Sequence, residues 1–235
     1  MVDIRRQIFA FSGVLNPQPG DRPTSALVDY ALSLTGKAEP ARMCYVPTAT
    51  GDAQQAIDGC TKLFASRADI SLSALRLFMQ SNVHVREHLL SQDVILVEGG
   101  SVVNLMAVWR AHGLDQILRE CWAAGVVLTG TSAGSLCWHL GGPTDSFSDA
   151  LAPFTDGLGL VPFSNGVHDD LDDQPRRSVY REMVASGQLA AGYATEDGVG
   201  LHYIGTELHE AIGILPGKRA WRVDPDGAAA TPSRS

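Results

Sequence analysis

Ser132 sits in Gly130-Thr131-Ser132-Ala133-Gly134, directly behind the apolar run Gly125-Val126-Val127-Leu128-Thr129 and ahead of Ser135-Leu136-Cys137-Trp138. A buried strand that ends in Gly-x-Ser-x-Gly and turns sharply into a helix is a nucleophile elbow. The turn holds the serine in a strained backbone conformation that only small neighbours permit. It lifts the hydroxyl to the tip of the strand and aims the next N–H groups at the same spot, where they can hold the negative oxygen of a tetrahedral intermediate. The same pentapeptide also fits a glycine-rich turn whose serine only caps the helix.

A nucleophilic serine needs a base, and the chain has seven histidines. His84 and His88 fall on a polar helix face, His112 and His139 follow helices, and His202 and His209 lie in or beside late strands. His168 differs, because it closes Leu160-Val161-Pro162-Phe163-Ser164-Asn165-Gly166-Val167-His168, where a strand gives way to an acidic loop. Sites in α/β proteins assemble in loops beyond the C-terminal ends of strands. The base in turn needs an orienting acid. Asp145 lies between Ser132 and His168, and Asp149, Asp169 and Glu196 are further candidates, the last at a strand end in Ala194-Thr195-Glu196-Asp197-Gly198. The run Asp169-Asp170-Leu171-Asp172-Asp173 lacks the spaced ligands and glycine of a calcium loop, so it reads as a solvated loop or as charge before a helix at Pro175. Glu98-Gly99-Gly100-Ser101 closes the run Val94 to Val97. Glycine there allows close approach of backbone to a ligand, and its amide is a candidate second oxyanion donor. A tight turn without a ligand is the alternative.

The elements that must carry these groups alternate. Gln7 to Ser12, Arg42 to Val46, Ser71 to Leu77, Asp93 to Val97 and Gly125 to Thr129 read as strands. Thr24 to Leu34, Gly51 to Ser66 and Val102 to Ala124 show apolar residues at helical spacing. This order predicts an α/β fold, a mainly parallel sheet with helices on both faces. Gly141 to Asp173 is rich in Gly, Pro, Ser and Asp and predicts a long loop or a short strand pair. A helix from about Pro175 to Ser186 follows, then late, partly antiparallel strands at Gly192 to Ala194, Gly198 to Ile204, Glu210 to Ile214 and Arg219 to Val223. The tail from Asp224 reads as loose. With no repeat and no linker, residues 1–235 are expected to form a single domain.

A net charge of −8 with no basic stripe argues against a nucleic-acid or anionic-membrane partner, the pairs Arg5-Arg6 and Arg176-Arg177 being too short. Cys44, Cys60, Cys121 and Cys137 show no metal-type spacing and read as buried, reduced thiols. The N-terminus reads as free of a signal peptide and no segment approaches a membrane span, so a soluble cytoplasmic protein is expected.

Taken together, the chain resembles the peptidase E family, the aspartyl dipeptidases, and their cyanophycinase-like relatives. The matching segments are Val94-Ile95-Leu96-Val97-Glu98-Gly99-Gly100, Gly130-Thr131-Ser132-Ala133-Gly134, Thr144-Asp145-Ser146-Phe147, and Gly157-Leu158-Gly159-Leu160-Val161-Pro162 leading to His168 and Arg176-Arg177. The resemblance runs from about Ser33 to about Val223. The resemblance implies a class I glutamine amidotransferase-like (flavodoxin-like) fold with serine in place of cysteine at the elbow. It implies Ser132 as nucleophile, His168 as general base, Asp145 as third member, and the Gly100 and Ala133 amides as oxyanion donors. Arg176 matches the arginine that recognises an acidic substrate side chain, and a guanidinium fork suits a carboxylate. The chain departs from the family at Phe11-Ser12-Gly13-Val14-Leu15-Asn16, where relatives carry a glycine-rich turn, and at Gly166-Val167, where relatives often have proline. Some relatives use glutamate as third member, which keeps Glu196 open.

The leading expectation is a serine exopeptidase that removes an acidic N-terminal residue from short peptides, with no metal or organic cofactor. An α/β-hydrolase esterase also uses Gly-x-Ser-x-Gly, but only 35 residues separate Ser132 from His168. A non-catalytic binding or sensor domain on the same fold is the alternative from another class. Neither oligomeric state nor the peptide cleaved can be read from the chain.

Overall fold

The computed structural model describes residues 5–13, 26–37, 40–231 and 233–234. The first half alternates as expected: β1 (Gln7–Phe11), α1 (Ala26–Ser33), β2 (Ala41–Val46), α2 (Gln54–Phe64), β3 (Ile70–Ala74), α3 (Val85–Leu90), β4 (Val94–Val97), α4 (Val102–Ala111), α5 (Leu114–Ala123), β5 (Val127–Thr131) and α6 (Ala133–Leu136). Then follow β6 (Gly142–Thr144), β7 (Ala152–Phe154), β8 (Ser164–Val167), α7 (Arg176–Ala185), β9 (Gly192–Thr195), β10 (Val199–Ile204), β11 (Glu207–Gly213), β12 (Ala220–Asp224), β13 (Gly227–Thr231) and β14 (Ser233–Arg234).

The large sheet has the order β14-β11-β10-β1-β5-β4-β2-β3. Strands β1, β5, β4, β2 and β3 run parallel, and β10 and β11 extend the sheet antiparallel. This is the mainly parallel α/β fold with late antiparallel strands. Period-two alternation sends Ile8, Ala10, Cys44, Val46, Ile95, Val97 and Leu128 into one core with Leu105, Trp109 and Leu118 of α4 and α5. Phe9, Phe11, Met43, Tyr45 and Leu96 enter the other core with Leu27 and Val28 of α1 and Ile57 and Phe64 of α2. Strand β4 is buried along its whole length, as a strand covered on both faces must be.

A second sheet, β13-β12-β9-β8, has β8 and β9 parallel. Helix α7 lays Tyr180, Met183 and Val184 against Ala194 and Val223 of this sheet. Val167 and Ala220 share a core cluster with Leu128 and Tyr203 of the large sheet. Val167 and Thr195 pair at the C-terminal ends of β8 and β9.

The structure revises three expectations. The helix read over Val102 to Ala124 is two, because Gly113 takes φ +69 and breaks the run between α4 and α5. The tail from Asp224 is not loose: β12 and β13 form a hairpin in which Asp224 pairs with Gly227 across Pro225-Asp226. Proline and aspartate are turn formers, so the composition that read as a loose tail belongs to a turn. The stretch Gly141 to Asp173 holds the strand pair β6–β7 and also β8. The departure at Val14-Leu15-Asn16 and the helix start at Thr24-Ser25 lie outside the described residues. Among the described residues no helix is long and apolar enough to cross a membrane.

Candidate active site

Ser132 follows β5 with φ 54 and ψ −114, a conformation that non-glycine residues rarely adopt. Both elbow glycines are dictated by contact. A Cβ on Gly130 would stand 2.4 Å from Gly134 O, and one on Gly134 would stand 2.3 Å from Val97 O. Neither position tolerates a side chain without backbone movement. The elbow is tied to β1 by Ser132 N donating to Phe11 O at 3.2 Å. Ala133, first residue of α6, has an N–H with no intrahelical acceptor.

Beside the elbow, β4 ends in Glu98-Gly99-Gly100. A Cβ at Gly99 would lie 3.1 Å from Ser132 Cβ and 3.7 Å from its Oγ, so backbone passes close to the hydroxyl. Gly100 takes φ +132, and a Cβ there would collide with Ala49 O at 2.5 Å. Gly99, not Gly100, lines the cleft that holds Ser132. That cleft, of about 360 Å³, is walled by Gly13, by Ala56, Gly59, Cys60 and Leu63 of α2, by Glu98 and Thr131, and by His168.

His168 is the one histidine in this lining. It too has a positive φ, 56, just beyond β8. Its N–H donates to Ser12 Oγ at 3.2 Å, and Ser12 Oγ lies 2.6 Å from Thr195 Oγ1, so β1, β8 and β9 jointly fix the residue. Its Nδ1 lies 2.5 Å from Asp197 Oδ1. A carboxylate accepts only, so Nδ1 carries the hydrogen and Nε2 keeps its lone pair. Asp197 is held in turn, because its own N–H donates to Asp170 Oδ1 at 2.8 Å. Burial works against the Asp170 carboxylate, but the Lys218 ammonium and the Asp197 N–H more than offset it, and its pKa is lowered. Ser132 Oγ has no hydrogen bond to His168 in this state. Such bonds are often long in a free enzyme and tighten when substrate arrives.

The structure does not bring Asp145 to His168. Asp145 Oδ2 accepts from Arg176 Nη2 at 2.7 Å and from Gln174 Nε2 at 3.3 Å. Arg176 is buried against Asp145 and lines no part of the Ser132 cleft. Glu196 is likewise taken: Arg177 Nη2 at 2.7 Å, Arg219 N at 2.9 Å and Trp221 Nε1 at 3.3 Å all donate to it. Asp169 is buried and bound by Arg177 at 2.8 Å, and Asp149 is exposed. The acidic run is thus only partly solvated, since Asp169 and Asp170 both hold structural partners. Asp197, absent from the candidates, had one legible signal. Along β9 alternate residues share a face, so Thr195, near Ser12, is followed on that face by Asp197, while Glu196 turns the other way.

The remaining histidines have other work. His139 is fully buried, donates from Nδ1 to Ser135 O at 2.8 Å and accepts from Tyr203 at Nε2, and burial lowers its pKa to about 4. His202, His209 and Glu210 hold donor atoms within 4.8 Å of one another, but none of them lines the cleft. All four cysteines are free and buried thiols.

A strained serine at a strand tip and a carboxylate-oriented imidazole share one cleft on an α/β sheet. Residues 18–211 match the model of Peptidase family S51, and the chain belongs to that family. It is a serine-type peptidase. It is 36% identical over 203 residues to the Uncharacterized peptidase YgaJ of Bacillus subtilis (strain 168), covering 86% of each chain. Its fold is similar to that of a peptidase from an acI-B1 Actinobacterium, with a TM-score of 0.74 at 16% identity, covering 97% of this chain and 95% of that one. It is also similar to a protein of Listeria monocytogenes EGD-e provisionally named peptidase E, with a TM-score of 0.62 at 19% identity, covering 87% and 96%.

Proposed function

We propose that the protein hydrolyses short peptides through an acyl-enzyme, with Ser132 as nucleophile, His168 as general base and Asp197 as the acid that orients it. The observation that carries this reading is the 2.5 Å contact between His168 Nδ1 and Asp197 beside a serine held at positive φ. Ser132 Oγ attacks the scissile carbonyl carbon as its proton passes to His168 Nε2. The carbonyl oxygen becomes an oxyanion, and the Gly100 and Ala133 amides are the candidate donors to it. As the tetrahedral adduct collapses, the C–N bond breaks and Nε2–H protonates the leaving amine. Water then attacks the ester carbonyl as its proton passes to Nε2, the C–Oγ bond breaks, and Nε2–H returns the proton to Ser132 Oγ as the acid product leaves. Asp197 stabilises the imidazolium in both halves without taking its proton.

A preference for acidic N-terminal residues had Arg176 as its support. Burial of Arg176 against Asp145, outside the cleft lining, leaves that preference without a cation among the described residues of the site.

The test is labelling with a fluorophosphonate, followed by mapping of the modified peptide, alongside a dipeptide panel read by amino-acid release. The expected outcome is label on Ser132 alone. Ser132→Ala is expected to lose label and to drop hydrolysis by about a thousandfold or more. A mutant with activity near wild type would remove the serine mechanism.

A further inference from the structure

Among the described residues, Glu98 is the one carboxylate in the cleft lining, and no lysine or arginine accompanies it there. Its orientation is fixed on both oxygens. Gly99 N donates to Oε1 at 3.0 Å, and the hydroxyl of Tyr45, itself buried in the sheet, donates to Oε2. Each carboxylate oxygen can accept more than one hydrogen bond, so capacity remains toward the cleft. The Cys60 thiol on the facing helix is pushed up to about 12 by burial and by the Glu98 charge, so it brings a neutral wall rather than a second anion. A half-buried carboxylate facing a cleft whose described lining holds no cation is matched by a cationic ligand group.

Resting on the reading of Ser132 as nucleophile, we propose that Glu98 binds the substrate's ammonium group, the α-ammonium of its N-terminal residue, and so makes the enzyme read a free amino end. Placement favours the α-ammonium over a basic side chain. Gly99 packs against Ser132, which leaves Glu98 a single residue from the nucleophile. In a peptide the α-nitrogen adjoins the carbon next to the attacked carbonyl, whereas a lysine ammonium lies a long aliphatic chain away. The same arrangement leaves room for the side chain of that residue toward α2, where a Cβ on Gly59 would meet nothing within 4 Å.

The experiment compares kcat/KM for alanine p-nitroanilide with that for its N-acetyl derivative, in wild type and in Glu98→Gln. A charge-assisted hydrogen bond predicts a preference for the free amine of about 10- to 100-fold in wild type, collapsing by a similar factor in the variant and mainly through KM. Tyr45→Phe keeps the ring but removes the donor that orients Glu98, and is expected to lower the preference by a smaller factor. N-acetyl-lysine and N-acetyl-norleucine p-nitroanilides form the second arm. A preference for the lysine compound that vanishes in Glu98→Gln would overturn the α-ammonium assignment, and so would equal rates on free and acetylated alanine substrates. Thermal-shift titration with alaninamide and N-acetylalaninamide reads recognition without turnover. Protection by the first alone, lost in Glu98→Gln, supports the proposal, and equal protection overturns it. Fluorophosphonate labelling run in parallel keeps the two readings apart: unlabelled Ser132 sinks the mechanism, while the titration still decides Glu98.

Discussion

At the scale of single residues, the proposed acid follows from who already holds each carboxylate. Asp145 is occupied by Arg176, Glu196 by Arg177 and Trp221, and Asp197 by the imidazole. Asp197→Asn is therefore expected to cut turnover by about a thousandfold to ten-thousandfold, since an amide cannot stabilise the imidazolium and supports the wrong tautomer. Asp145→Asn leaves a buried guanidinium without its anion. It is expected to lower stability by about 1–3 kcal/mol with turnover per folded molecule within about tenfold of wild type. Steady-state rates normalised to active-site titration separate the two, and a larger kinetic loss at Asp145 would overturn the assignment. Ser132 and His168 were legible because a motif and a strand end mark them locally. Asp197 was not, because its neighbour Glu196 has the same chemistry and only the facing of β9 distinguishes them. His139 and His202 carry a different signature. Both have a pKa lowered to about 4, chiefly by burial. The unfolded chain then binds protons that the folded one refuses, so stability is full above about pH 6.5 and falls as pH drops toward 4. The loss is on the order of 3 kcal/mol per histidine at the acid end. Urea unfolding at pH 7 and pH 4.5 checks this, and His139→Gln should show a shallower fall; an equal slope would exclude His139 as a contributor.

At the scale of elements, the sequence marks strands well because a strand buried on both faces is an uninterrupted apolar run, as in Val94-Ile95-Leu96-Val97. The break between α4 and α5 was masked because Leu105, Trp109, Leu114 and Leu118 all enter the same core. Apolar spacing thus continued across a glycine that ends the helix. The hairpin β12–β13 was missed for the opposite reason: Gly227 to Thr231 is exposed and small-residued, so it shows no apolar face. The elbow makes a sharper statement about an element junction. Gly134→Ala places a methyl on Val97 O, 2.3 Å away, at the contact between β4 and α6. Overpacking against backbone that two neighbouring strands hold in place is expected to destabilise by about 3 kcal/mol or more. It should also shift the elbow, abolishing fluorophosphonate labelling. Chemical denaturation and labelling of the soluble fraction test this, and wild-type values in both would show that the strand and helix can part.

Across the whole molecule, sheet order and the joining of two sheets were beyond the sequence, because they depend on pairings between distant segments. The alternation of apolar runs and helical patterns predicts a parallel sheet, but not that β10 inserts beside β1 or that β8 and β9 form a second parallel pair. The proposed chemistry depends on that joining. Ser132 stands on the large sheet, whereas His168 and Asp197 stand at the ends of β8 and β9, with Ser12 bonded between them. The exposed turn that carries Phe147 falls between Ser132 and His168 in the chain. Severing the backbone at Ser148-Asp149 would yield one piece owning the hydroxyl and another owning the imidazole and its carboxylate. Each fragment alone is expected to leave a chromogenic ester untouched, and mixing them to restore colour as β10 re-enters its slot beside β1. Turnover by the N-terminal fragment alone would show that His168 is dispensable. The division of labour between two sheets is thus a natural seam for a split reporter, in which hydrolysis measures how often two halves meet.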